Sequence, residues 1–138
     1  MIRVLLSLLA GALLLISPNA VLAAEQSAVL AGGCFWCMES DLEKLPGVIS
    51  VESGYSGGRV PQPTYNEVSA ETTGHQEVVE VRFDPARISY SKLLQSYWRN
   101  VDPLDGDGQF CDRGDSYRPV IFTADDAQSQ EANSSAEA

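Results

Sequence analysis

The spacing of apolar residues along this 138-residue chain switches between the two-residue period of strands and the three-to-four-residue period of helices. After an apolar leader, Ala28-Val29-Leu30 reads as a short buried strand, and Gly32-Gly33 permits a tight turn. Residues 34–45 then place Phe35, Met38, Leu42 and Leu45 on one helical stripe until Pro46-Gly47 stops the helix. A second strand is predicted over 48–55. Residues 59–73 read as a polar, proline-containing loop that carries Thr64-Tyr65. In a third strand over 75–83 the odd positions Val79, Val81 and Phe83 make an apolar face, and the period puts His75 and Glu77 on that face too. Ser89 predicts the N-cap of a second long helix, whose Tyr90, Leu93, Leu94, Tyr97, Trp98 and Val101 follow helical spacing until Asp102-Pro103 ends it. Residues 102–117 read as a Gly/Asp-rich loop, 118–123 as a last strand, and 124 onward as a weak helix with almost no large apolar residue.

Strand, helix, strand, strand, helix, strand is the order of a split β-α-β unit. The expected fold class is therefore α+β: a two-layer sandwich with a ferredoxin-like core, its helices packed on a mainly antiparallel sheet. In that layout residue 34 sits at a strand-to-helix junction, where the loops carrying Tyr65 and residues 111–117 can converge on it.

The leader changes the domain reading. Arg3, the apolar run 4–16 and the small residues up to Ala23-Ala24 form a secretory signal-peptide pattern over 1–23, with cleavage after Ala23 or Ala24. The run is short for a membrane span, so an uncleaved anchor is the lesser alternative and no stable membrane association is expected after cleavage. Residues 25–138 remain for one small domain. Nine basic and 19 acidic residues give a formal net charge of −10, and loss of Arg3 makes the mature chain more negative still. Nucleic acid is accordingly excluded as a partner class.

Cys34, Cys37 and Cys111 all lie beyond the leader. An odd count in an exported, periplasmic or secreted chain leaves a thiol unpaired, which suits turnover better than a disulfide scaffold. Cys34 falls at or near a helix start, where free backbone N–H groups and the positive dipole end favour the nucleophilic thiolate. Trp36 lies off the buried stripe, beside the nucleophile, as a pocket wall would. Glu77 is a carboxyl group aligned with three large apolar residues. Partial desolvation there favours the protonated, proton-donating form. The acids between Asp102 and Asp107 have a calcium-loop flavour but lack the closing Glu of an EF-hand, so a solvated loop is expected.

Gly33-Cys34-Phe35-Trp36, Gly54-Tyr55-Ser56-Gly57-Gly58, Pro63-Thr64-Tyr65, Thr73-Gly74-His75-Gln76-Glu77, Phe83-Asp84-Pro85 and the run Asp112 to Arg118 occur in register across residues 28–123. In this order the chain resembles the A-type peptide methionine sulfoxide reductases. The resemblance implies that Cys34 attacks the sulfoxide sulfur and that Glu77 protonates the departing oxygen. It also implies that Tyr65 and Tyr117 bind and polarise that oxygen, that Phe35 and Trp36 hold the substrate methyl group, and that Asp112 supports the site by hydrogen bonding. The implied substrate is the S-epimer of methionine sulfoxide, free or in oxidised proteins. The implied product is methionine plus a Cys34 sulfenic acid.

The sulfenic acid must be discharged by a second thiol, and Cys37, one helical turn on, is the first choice, with Cys111 as the alternative. A thioredoxin-like protein is the implied reductant, and no metal or organic cofactor is implied. His75 is expected to be structural. The family pattern continues beyond residue 123 with further helix and an aromatic-rich segment, so the domain is expected to be incomplete at its C-terminus. Three other readings stand beside this one. A thioredoxin-like thiol–disulfide oxidoreductase would use the same Cys-x-x-Cys, a structural zinc site would use Cys34, Cys37, Cys111 and His75, and a truncated domain would be inactive.

Overall fold

The computed structural model describes residues 24–137, and the expected signal peptide over 1–23 lies outside the described residues. The elements run β1 (Gln26–Ala31), α1 (Phe35–Leu42), β2 (Val48–Ser56), α2 (Tyr65–Ser69), β3 (Gln76–Phe83), α3 (Tyr90–Trp98), β4 (Gly108–Gln109), β5 (Asp112–Arg113), a 3₁₀ turn (Asp115–Tyr117), β6 (Val120–Phe122) and α4 (Asp126–Ala136). The main sheet has the order β2-β3-β1-β6, with every neighbouring pair antiparallel. β3 therefore lies between β1 and β2. This is the split β-α-β arrangement that the periodicity predicts.

One face of the sheet meets α1 and α3. Leu30, Val79, Val81 and Phe83 are fully buried against Leu42, Leu93, Leu94 and Tyr97, with Phe35 and Met38 closing the same core. Register explains the alignment, because Ala28 pairs with Val81 and Leu30 with Val79. In β2 the pairing shifts between Val48 and Ser50. This bulge leaves Ile49 exposed and turns Val51, Ser53 and Tyr55 towards the helices.

Three segments differ from the sequence reading. The loop expected over 59–73 contains α2, nucleated by a capping box in which the Thr64 hydroxyl accepts from the Glu67 N–H and the Glu67 carboxylate accepts from the Thr64 N–H at 2.8 Å. The loop expected over 102–117 contains the β4/β5 hairpin and the 3₁₀ turn. Asp105 there holds Arg113 through two bonds of 2.6 and 3.0 Å, so that acid serves the hairpin. Finally, α1 ends at Leu42 and α3 at Trp98, short of the residues that their apolar stripes suggest.

Candidate active site

Two glycines set the position of Cys34. At Gly32 a Cβ would collide with Val101, and Gly33 adopts φ 82°, so the turn approaches the segment just after α3 more closely than a side chain would allow. The turn is pinned from both sides: the Tyr97 hydroxyl donates to the Ala31 carbonyl at 2.8 Å, and the Gly33 N–H donates to the Tyr117 carbonyl at 3.0 Å. Cys34 follows as the N-cap of α1, with extended backbone and no hydrogen bond from its side chain to the helix. Its carbonyl accepts from Cys37 and Met38, leaving the sulfur free of capping duty.

Glu77 is 1% exposed. Its Oε2 accepts from the Phe35 N–H, the first amide of α1, at 3.1 Å, so the carboxyl group sits beside the nucleophile. Burial pushes its pKa above the usual carboxylate value, the Phe35 N–H pulls it back, and the Asp112 charge raises it again. The geometry thus places a buried acid, its pKa raised, against the amide that follows Cys34. Asp112 acts on this acid through its field, not through the hydrogen bond expected of it.

An aromatic cluster surrounds the pair. Phe35 is buried, with ring centroids 5.2 Å from Trp36, 5.6 Å from Tyr55 and 6.4 Å from Tyr65. Trp36 is 61% exposed and stacks on Tyr65 at 5.7 Å and 17°. The Tyr117 hydroxyl is raised in pKa by burial and then by Glu77, while a hydrogen bond with Ser69 holds it down. Tyr55 behaves alike, raised by burial, Glu77 and Tyr65. The sequence reading quotes Tyr55 in a motif but gives it no part in the site. The missing signal is strand register, since Tyr55 is the direct cross-strand partner of Glu77.

All three cysteines are free thiols in the structure, and all three line one cavity of about 390 Å³, together with Asp41, Arg99 and Asp112. Proximity of the Cys34 sulfur pushes the Cys37 thiol up in pKa. Cys111 reaches the same cavity from the loop that joins β4 and β5. His75 is engaged elsewhere. Its Nδ1 accepts from the Gly58 N–H at 3.1 Å and its Nε2 donates to the Val60 carbonyl at 2.8 Å, so both nitrogens brace the 58–60 turn. The zinc reading thereby loses its fourth ligand. Among the described residues no three His, Cys, Asp or Glu side chains form a metal-holding group.

Fold and site together define an α+β domain with a cysteine at a helix start, a buried acid beside it and an aromatic wall. The sequence profile of the peptide methionine sulfoxide reductases matches residues 26–138. The chain is 55% identical over 123 residues to peptide methionine sulfoxide reductase MsrA 2 of Caulobacter vibrioides, covering 87% of this chain and 63% of that protein. It is likewise 55% identical over 114 residues to MsrA of Ligilactobacillus salivarius, covering 83% and 66%. Among solved structures, methionine sulfoxide reductase A of Corynebacterium diphtheriae superposes with a TM-score of 0.79 at 33% identity, over 87% of this chain and 61% of that one. Reduced Mxr1 from Saccharomyces cerevisiae does so at 0.77 and 28%, over 82% and 67%. The chain belongs to the peptide methionine sulfoxide reductase family. It spans a little under two thirds of the length of the curated relatives it matches.

Proposed function

We propose that this chain reduces the S-epimer of methionine sulfoxide, free or in oxidised proteins, to methionine. The observation that carries the reading is the buried Glu77 carboxyl group hydrogen-bonded to the amide that follows Cys34. Sulfoxide oxygen leaves poorly unless protonated, and an acid whose pKa burial raises is suited to supply that proton at the point of need. The Cys34 thiolate attacks the sulfoxide sulfur, Glu77 delivers a proton to the oxygen, and the S–O bond breaks. The attack forms a bond between the two sulfurs, and the hydroxide set free then adds to the Cys34 sulfur and breaks that bond, so that the substrate leaves as the sulfide and Cys34 is left as the sulfenic acid. Tyr65 and Tyr117 orient the oxygen, Phe35 and Trp36 receive the methyl group, and Asp112 keeps the Glu77 proton in place.

Cys37 then attacks the sulfenic sulfur, releasing water and forming a disulfide that a thioredoxin-like dithiol reduces. Its place one helical turn from Cys34, in the same cavity, favours it over Cys111, which reaches that cavity from the β4–β5 connection. No metal or organic cofactor takes part. The leader pattern supports export of the chain, to the periplasm or beyond.

Single-turnover reduction of the separated epimers by the reduced protein, followed by mapping of the disulfide, tests the proposal. Methionine is expected from the S-epimer alone, with a Cys34–Cys37 bond. A folded protein with intact Cys34 that yields no methionine overturns the reading, and a Cys34–Cys111 bond reassigns the second thiol.

A further inference from the structure

The chain turn that follows α2 contains an anomaly. Glu71 adopts φ 58°, in the left-handed region that side chains other than glycine disfavour. Its N–H donates to the Val68 carbonyl at 2.9 Å, and the Thr72 N–H donates to the Glu67 carbonyl at 3.3 Å. This is the Schellman closure, and Glu71 holds the C′ position where glycine is the usual occupant. A glutamate here costs conformational free energy that glycine would not. The side chain shows what is gained.

The Glu71 carboxylate accepts from the Ser116 N–H at 3.1 and 3.3 Å and from the Ser116 hydroxyl at 2.7 Å. Ser116 is 1% exposed, so its two donors depend on this carboxylate, and bonds to a charged acceptor are the strong kind. Space for the carboxylate exists because residue 114 is glycine: a Cβ there would strike it. The residue after Ser116 is Tyr117. Its carbonyl holds the Gly33 N–H, at the turn that leads into Cys34.

We propose that Glu71 is a positioning residue for Tyr117. The carboxylate latches the 3₁₀ turn to the end of α2, so that the two tyrosines assigned to the sulfoxide oxygen, Tyr65 at the start of α2 and Tyr117 beyond Ser116, share one frame. The proposal rests on the functional reading above, and it acts on the transition state rather than on substrate capture. Misplacement of one polarising group without loss of the fold lowers kcat more than it changes KM.

The test is a double-mutant cycle with methionine sulfoxide and a small dithiol reductant. Glu71→Gly relieves the backbone while removing the latch, so the melting temperature stays near wild type and kcat falls by about tenfold. Glu71→Gln, which keeps an acceptor oxygen, is expected to retain most of the rate. In a Tyr117→Phe background Glu71→Gly should add no further loss, because two changes acting through one group are not additive. Full kcat in Glu71→Gly, or a loss that multiplies with that of Tyr117→Phe, overturns the proposal. If Glu71→Gly fails to fold, Ser116→Ala takes its place in the same cycle. If the wild-type protein reduces no sulfoxide, the functional reading fails by itself. Amide exchange at Ser116 then decides the latch, with unchanged exchange in Glu71→Gly ruling it out.

Discussion

The role proposed for Glu77 joins a catalytic demand to a thermodynamic cost. Burial raises its pKa, the Phe35 N–H opposes the rise and Asp112 adds to it. The folded state therefore binds the proton more tightly than the unfolded state, and the carboxyl group's contribution to stability is lost as pH rises through the folded value. Glu77→Gln, neutral at every pH, is expected to lower the single-turnover rate by about 10²- to 10⁴-fold. It should also raise the melting temperature at about pH 8, a gain that vanishes below about pH 4, where Glu77 is protonated in both states. Paired melting and stopped-flow series check both effects. In Asp112→Asn the basic limb of the rate profile should move to lower pH, since the charge that raises Glu77 is gone. At this scale the period of β3 suffices to single out Glu77, and the glycine turn to single out Cys34. Tyr55 is hidden, because its place opposite Glu77 depends on a bulge at Ile49 that no local pattern announces.

Helix α2 shows how a five-residue element can matter to a site. Its capping box presents Tyr65 as the first helical residue, stacked on Trp36. Thr64→Ala should cost about 1 kcal/mol of stability and slow sulfoxide reduction, while Thr64→Ser retains both; calorimetry and steady-state rates on the same preparations test this. The Thr-x-x-Glu signature is present in the sequence, but it is masked by the prolines at 61 and 63 and by the lack of any apolar stripe in so short a helix. The β4/β5 hairpin is illegible for a different reason. It is held by Gln109, wholly buried and bonded to the Asp102 backbone at 2.6 and 2.8 Å, and by the Asp105–Arg113 pair, which are contacts of side chains rather than of period.

For the whole molecule, the strand and helix order was enough to establish the α+β class, because each long element carries its own period and the split β-α-β topology has few competitors. Charge is the other global property. With a formal net charge of −10 and ion pairs that lie on the surface, the folded chain repels itself more than those pairs offset. Raising sodium chloride from about 10 to about 150 mM, which shortens the screening length from roughly 30 to 8 Å, should raise the melting temperature by a few degrees; a flat scanning-calorimetry series would contradict this. The doubly pinned Gly32-Gly33 turn has a further consequence for the redox cycle. With its backbone tied to α3 on one side and to Tyr117 on the other, Cys34 is the anchored end of any disulfide it forms. The partner thiol must do the travelling. In the proposed cycle oxidation therefore registers in the first turn of α1 or in the β4–β5 connection, and those are the surfaces that would present a spent molecule differently from a ready one to the proposed reductant.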